Sequence, residues 1–275
     1  MGSGSTRGWL TGQRKRGGSG LSDFKIIRFE PNGPAEKGLE TWEAIDPTLL
    51  VAGTPVQRGH IYHELPERGY MAGVWDCTAM TSKIEPYEVN EFMLLLEGSV
   101  TIAVEDGEEV TIHAGESFVI PQGLRCSWKQ SGSVRKYFVI FEDKSGRAHK
   151  DPAALGVIRP QAAGPAEGMT KLEIPNPEIF LGGVPMQHDH DYFEDGTHQL
   201  FVGLWESTPF ELVIDPFPRS ELMCILEGSV TLTDGDGVEH RFNAGDTAYV
   251  PMGAHCGWKS TEPVRKFYAI FEPTA

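Results

Sequence analysis

The sequence predicts an all-β protein built as two tandem barrels. Three observations lead there: a gapless internal repeat, short β-rich runs broken at regular intervals by turn residues, and no segment with sustained helical periodicity. Displacing the chain by 130 residues aligns Pro47–Glu142 with Pro177–Glu272, and 36 of the 96 aligned positions are identical. Unrelated sequences of ordinary composition would agree at roughly 6%. The chain is therefore a duplication.

In the first copy, runs rich in Val, Ile, Leu, Phe and Tyr fall in order at 70–76, 91–96, 99–104, 108–113, 117–120 and 134–141. Gly98 and Gly228 follow apolar runs and permit a tight turn into the next strand, and Pro121 and Pro251 end a strand by removing a ladder donor. Asp106-Gly107 and Asp236-Gly237 read as hairpin turns that need positive φ. These elements divide the chain into a Gly/Ser-rich leader at 1–22, an N-terminal barrel at 23–143, a Pro/Ala/Gly-rich linker at 144–170 with a short packed segment at 155–158, and a C-terminal barrel at 171–275.

The formal charge is −15, although the first twenty residues hold four basic groups and no acid. A body this acidic repels nucleic acid and anionic lipid, so neither is an expected partner. No run is long and apolar enough to span a bilayer, no apolar signal segment opens the chain, and the four cysteines form no CxxC pair. The expectation is a cytoplasmic protein with free thiols, with a small-molecule ligand and, through exposed edge strands, pairing into a homodimer.

Each copy has a Glu followed seven residues later by Gly (Glu91, Gly98; Glu221, Gly228), then G(x)5PxG (Gly115, Pro121, Gly123; Gly245, Pro251, Gly253), then WK, VRK and IFE blocks. These residues resemble the cupin superfamily, and more narrowly the subgroup that includes ureidoglycine aminohydrolase and the ethanolamine-utilisation cupins. The resemblance covers both copies and implies two double-stranded β-helix, jelly-roll-like barrels, that is, a bicupin. It also implies where a metal would sit, from a His-x-His and Glu in the first motif and a His in the second. Those positions read here Glu85, Tyr87, Glu91 and Cys126 in copy one, and Asp215, Phe217, Glu221 and Cys256 in copy two.

Neutral imidazole is the usual anchor for zinc, manganese or iron, and none of these positions supplies it. No cofactor is therefore expected; the alternative is a divalent ion held by Asp215, Glu221 and His255. Glu85, Tyr87 and Glu91 share one parity, as do Asp215, Phe217 and Glu221, so each set is expected to converge on a barrel interior, with Arg125 or Cys126 and His255 or Cys256 as the second-motif candidates beside them. Neighbours on a strand face opposite sides, so only one of His255 and Cys256 points inward. The same alternation sends one member of each Arg135-Lys136 and Arg265-Lys266 pair toward an interior acid. Trp128 and Trp258 are expected to pack the barrel ends. The HDHDY run at 188–192 reads as an edge or swapped strand making polar contacts between barrels.

Copy two alone places a titratable imidazole, His255, beside the motif-two cysteine, so any chemistry is expected there. Two functions fit: a bicupin that binds a small polar metabolite without a tightly held transition metal, or a metal-dependent hydrolase or isomerase of a small nitrogen-containing metabolite.

Overall fold

The computed structural model describes residues 25–145, 151–174 and 177–274; the leader predicted at 1–22 lies outside the described residues. Among the described residues the regular structure is almost entirely strand, with only single helical turns besides. In the first barrel one sheet runs in the order Ser117–Ile120, Asn90–Glu97, Val134–Phe141, Tyr70–Cys77, Gln57–Leu65 and Glu40–Thr41. The facing sheet runs Glu109–His113, Ser99–Val104, Arg125–Gln130, Met80–Ser82 and Leu50–Ala52, with Glu85–Pro86 also beside Arg125–Gln130. The second barrel repeats this plan, with Val264–Phe271 between Ser220–Glu227 and Leu200–Ser207 in one sheet, and Phe210–Pro216 beside His255–Ser260 in the other.

The predicted runs match observed strands within a residue or two, and both Pro121 and Pro251 directly follow a strand end. Gly98 and Gly228 have φ of +81° and +74°, and an added Cβ would stand 2.2 Å from the carbonyl oxygens of Ser133 and Pro263 respectively. No side chain fits there. The two DG turns differ: Asp106 takes the left-handed conformation in copy one and Gly237 in copy two. The run containing HDHDY is a full barrel strand, Gln187–Glu194, paired along its length with Leu200–Ser207.

The boundaries predicted at 23 and 144 follow chain order, whereas the strands cross over. Ile27–Phe29 pairs with Thr247–Val250 of the second barrel, and Ile158 in the linker bridges Val119 of the first. Positions 119 and 249 are equivalent in the repeat, so each barrel has the same edge covered by the segment that precedes the other. Covering removes an exposed ladder of N–H and C=O groups.

Three apolar clusters hold the molecule together. One fills each barrel, and the third lies between them, built from the outer faces of Tyr70–Cys77, Val134–Phe141, Leu200–Ser207 and Val264–Phe271. The alternation is direct in Val134–Phe141: Val134, Phe138 and Ile140 point into the barrel, and Tyr137, Val139 and Phe141 into the interface. Both faces are buried, which is why the strand reads as an unbroken apolar run from Tyr137 to Phe141.

Candidate ligand-binding site

The parity that places Val134 and Phe138 inside also carries Lys136 inward, and its repeat, Lys266, goes the same way. Lys136 Nζ lies 2.7 Å from Glu91 Oε1, with Lys136 3% exposed and Glu91 fully buried. Lys266 Nζ lies 2.5 Å from Glu221 Oε1. Each ammonium also faces two indoles, Trp75 and Trp128 at 4.9 and 4.7 Å, or Trp205 and Trp258 at 4.9 and 4.1 Å. Cation–π attraction and the ion pair together offset part of the cost of burying the charges. Arg135 and Arg265 turn to the opposite face, where they bind Asp76 and Glu206.

Around this shared pair the barrels diverge. In the N-terminal barrel Trp42 meets Phe138 edge to face and occupies the space beside Gly59, where an added Cβ would meet its ring at 2.4 Å. The remaining cavity is about 70 Å³. In the C-terminal barrel the equivalent positions hold Leu172 for Trp42, Asp189 for Gly59, Asp191 for Ile61, Tyr268 for Phe138 and Arg219 for Val89. All five line a cavity of about 660 Å³. A bulky indole has become a shorter aliphatic chain, and apolar wall has become polar.

The C-terminal cavity is electrostatically organised. Burial holds Lys266 down to a pKa of about 8, only partly offset by Glu221. Burial works against the Glu221 carboxylate, but Lys266 and then Arg219 outweigh it and keep its pKa below the ordinary range. Tyr268 donates to Asp191 Oδ1 at 2.6 Å. Asp189 is pushed up by burial and by the neighbouring Asp191 carboxylate.

The predicted site residues separate into three groups. Tyr87, Glu91 and Cys126 meet in the N-terminal barrel, where the Tyr87 hydroxyl donates to Glu91 Oε2, and Glu221 and Cys256 meet in the C-terminal one. Glu85 and Asp215 line the cavities from exposed positions on short or bulged strand segments. Arg125 and His255 are not brought to either cavity: both are exposed, and Arg125 binds Glu105 at 3.0 Å. Cys126 and Cys256 take the inward places, leaving the neighbouring side chains outside. The imidazole thought to mark copy two is thus outside its cavity. Trp128 and Trp258, expected at the barrel ends, belong to the barrel core clusters and also face the ammonium groups.

Asp189, Asp191, Arg219, Tyr268 and the two lysines complete the arrangement. Within HDHDY, Asp189 and Asp191 line the barrel cavity, while His188 pairs with Glu206 at 3.3 Å. The only prior signal for these residues was strand alternation, which orders faces without naming the inner one.

All four cysteines are free and buried, and burial pushes each thiol up to about 12. Ellman's reagent at mildly alkaline pH should therefore leave the native protein unlabelled over the minutes in which the denatured protein reacts fully. Fast labelling of native Cys256 would instead reveal an accessible thiolate in the C-terminal cavity.

Two jelly-roll-like barrels with the motif-one Glu at the centre of each define a bicupin of the cupin superfamily. The family model of the EutQ-like cupin domain matches twice, at residues 66–138 and 195–268, together more than half the chain, and the chain belongs to this family. Among solved structures, a protein of unknown function of the DUF861 family from Pseudomonas syringae pv. tomato is similar at 28% identity and a TM-score of 0.72, covering 89% of this chain and 98% of that one. A cupin 2 conserved barrel domain protein from Leptotrichia buccalis is similar at 13% identity and a TM-score of 0.53, covering 85% and 98%. Protein Ylba from E. coli, also of the DUF861 family, is similar at 10% identity and a TM-score of 0.50, covering 96% and 93%. No curated protein matches the sequence.

The metal that the superfamily resemblance implies does not fit the residues present. The motif-one carboxylate in each barrel is already bound to an ammonium, which would repel a cation. The thiols are far from their ionised form, and among the described residues no three His, Cys, Asp or Glu side chains gather to ligate one ion. No helix among the described residues is long and apolar enough to cross a membrane.

Proposed function

We propose that this EutQ-like bicupin binds a small polar metabolite in its C-terminal barrel, without a tightly held transition metal, and that its N-terminal barrel is a structural partner. The observation that carries the reading is the contrast between the two cavities, about 660 Å³ against about 70 Å³, produced by substitutions at equivalent positions of one repeat. Ligand pockets of about 300–1,000 Å³ with a few convergent polar groups are the ordinary size for small molecules.

The test restores barrel one's filling in barrel two. Leu172→Trp with Asp189→Gly should abolish saturation-transfer signals from a panel of small polar metabolites that the wild-type protein binds. Unchanged signals from that variant would place binding elsewhere.

The second reading is a metal-dependent hydrolase or isomerase of a small nitrogen-containing metabolite, in keeping with the ureidoglycine aminohydrolase resemblance. It draws on Asp215 and Glu221 sharing the same cavity. It lacks its third ligand, because His255 faces away. Stoichiometric zinc, manganese, iron or nickel in protein purified without a metal column, lost on Glu221→Ala, would make it the leading reading.

A further inference from the structure

The hydrogen bonding of the two buried carboxylates differs in a way that points to the ligand. In the N-terminal barrel the network is closed. Glu91 Oε1 accepts from Lys136 and Oε2 from the Tyr87 hydroxyl, and Trp128 Nε1 donates to Gln130 Oε1 at 2.6 Å. In the C-terminal barrel both outer partners are missing: Phe217 stands at the position of Tyr87, and Ser260 at that of Gln130, where its hydroxyl bonds Ser229 and Glu262 carbonyls instead.

Glu221 Oε2 and Trp258 Nε1 consequently have no hydrogen-bond partner in the protein, although the residues are only 1% and 9% exposed. Arg219 Nε stands 3.4 Å from Glu221 Oε2, in ion-pair range but without hydrogen-bond geometry, and is itself unpartnered. All three residues line the C-terminal cavity. The other buried unpartnered atoms among the described residues, Ser117 Oγ and Arg135 Nε, line neither barrel cavity. Native proteins leave few such atoms, and a cluster in one cavity is the imprint of a missing partner.

We infer that the ligand carries a neutral group that accepts from the Trp258 indole N–H and donates to Glu221 Oε2: a hydroxyl, a carboxamide or a ureido group. Lys266 brings these two atoms into one neighbourhood, since its ammonium touches Glu221 Oε1 and lies over the Trp258 ring. A carboxylate or phosphate would satisfy the indole and Arg219 but would set acceptor against acceptor at Glu221. Asp189, Asp191, Asp215 and Glu272 in the same wall would repel it further. This inference rests on the C-terminal barrel being the binding site and specifies what that site selects.

The experiment reads the tryptophan indole N–H resonances of ¹⁵N-labelled protein, with Trp258 assigned from Trp258→Phe. The probes are acetamide, N-methylurea, propane-1,2-diol and acetate. The neutral probes should shift the Trp258 resonance while leaving that of Trp128 in place, and acetate should need about tenfold or more higher concentration, since a site built for a donor rejects a group lacking one. Phe217→Tyr with Ser260→Gln supplies barrel one's own partners. It should raise Tm by about 2 °C or more and abolish the response.

Acetate binding as tightly as acetamide would overturn the ligand class and leave the C-terminal barrel as the site. Shifts at Trp128 in place of Trp258 would overturn the barrel assignment itself. Absence of a Trp258 shift with every probe would overturn the inference whatever the Tm of the double variant.

Discussion

Lys136→Ala is expected to destabilise the folded protein by about 3–5 kcal/mol, the cost of leaving an uncompensated charge in a protein interior. Glu91 is fully buried, its Oε1 faces the lysine ammonium, and the surrounding wall is the indoles of Trp75 and Trp128. The Tyr87 hydroxyl satisfies the other oxygen but brings no charge. Replacing both members, as Glu91→Leu with Lys136→Met, should recover most of the loss, because a well-packed apolar pair needs no desolvation of ions. Lys266→Ala should cost less, since Arg219 still pairs with Glu221. Urea denaturation of the four proteins checks the order. A loss below about 1 kcal/mol for Lys136→Ala, the scale of a surface pair, would mean that water reaches Glu91 in the folded state.

Phe271→Ala is expected to cost about 3–5 kcal/mol, on the order of 10 °C in Tm. Phe271 is fully buried, stacks on Tyr70 at 4.3 Å and meets Phe141 at 5.2 Å, so it belongs to the second barrel's sheet but packs on the first. Tyr249 of the second barrel likewise hydrogen-bonds Tyr70 of the first at 3.1 Å. The truncation therefore opens a cavity between barrels, and calorimetry should show one transition for the wild type and a broadened or divided one for the variant. A variant that keeps one sharp transition at the original Tm would show that the interface contributes little to cooperativity.

Duplication, barrel architecture and most strand positions were legible in the sequence because they rest on local signals: identity at a fixed displacement, turn residues and β-rich runs. The site was less so. Strand parity correctly allowed one inward residue at 255–256 and one acid partner in each VRK block, but Val134–Phe141 is buried on both faces and gives no sign of which is inner. Glu85 does line the cavity with Tyr87, but from an exposed position that parity did not foresee. Glu85–Pro86 pairs with Arg125–Gln130 in one sheet and Asn90–Glu97 belongs to the other, so alternation does not carry across the intervening loop. Asp189 and Asp191 were hidden by a composition that drew the eye to histidines. The contrast between Trp42 and Leu172, which sets the cavity volumes, needed the fold to show that the two positions face the barrel interiors.

The exchanged edge strands impose an order on biosynthesis. Ile27–Phe29 pairs with residues more than two hundred positions downstream, so at about 5–20 residues per second it waits on the order of 10–40 s for Thr247–Val250 to be made. The first barrel meanwhile keeps Val119 uncovered until Ile158 clears the ribosome. From the completion of Val134–Phe141 onward the nascent chain thus presents half of an apolar interface, and chaperone demand should fall only when Val264–Phe271 lays its Phe271 against Tyr70.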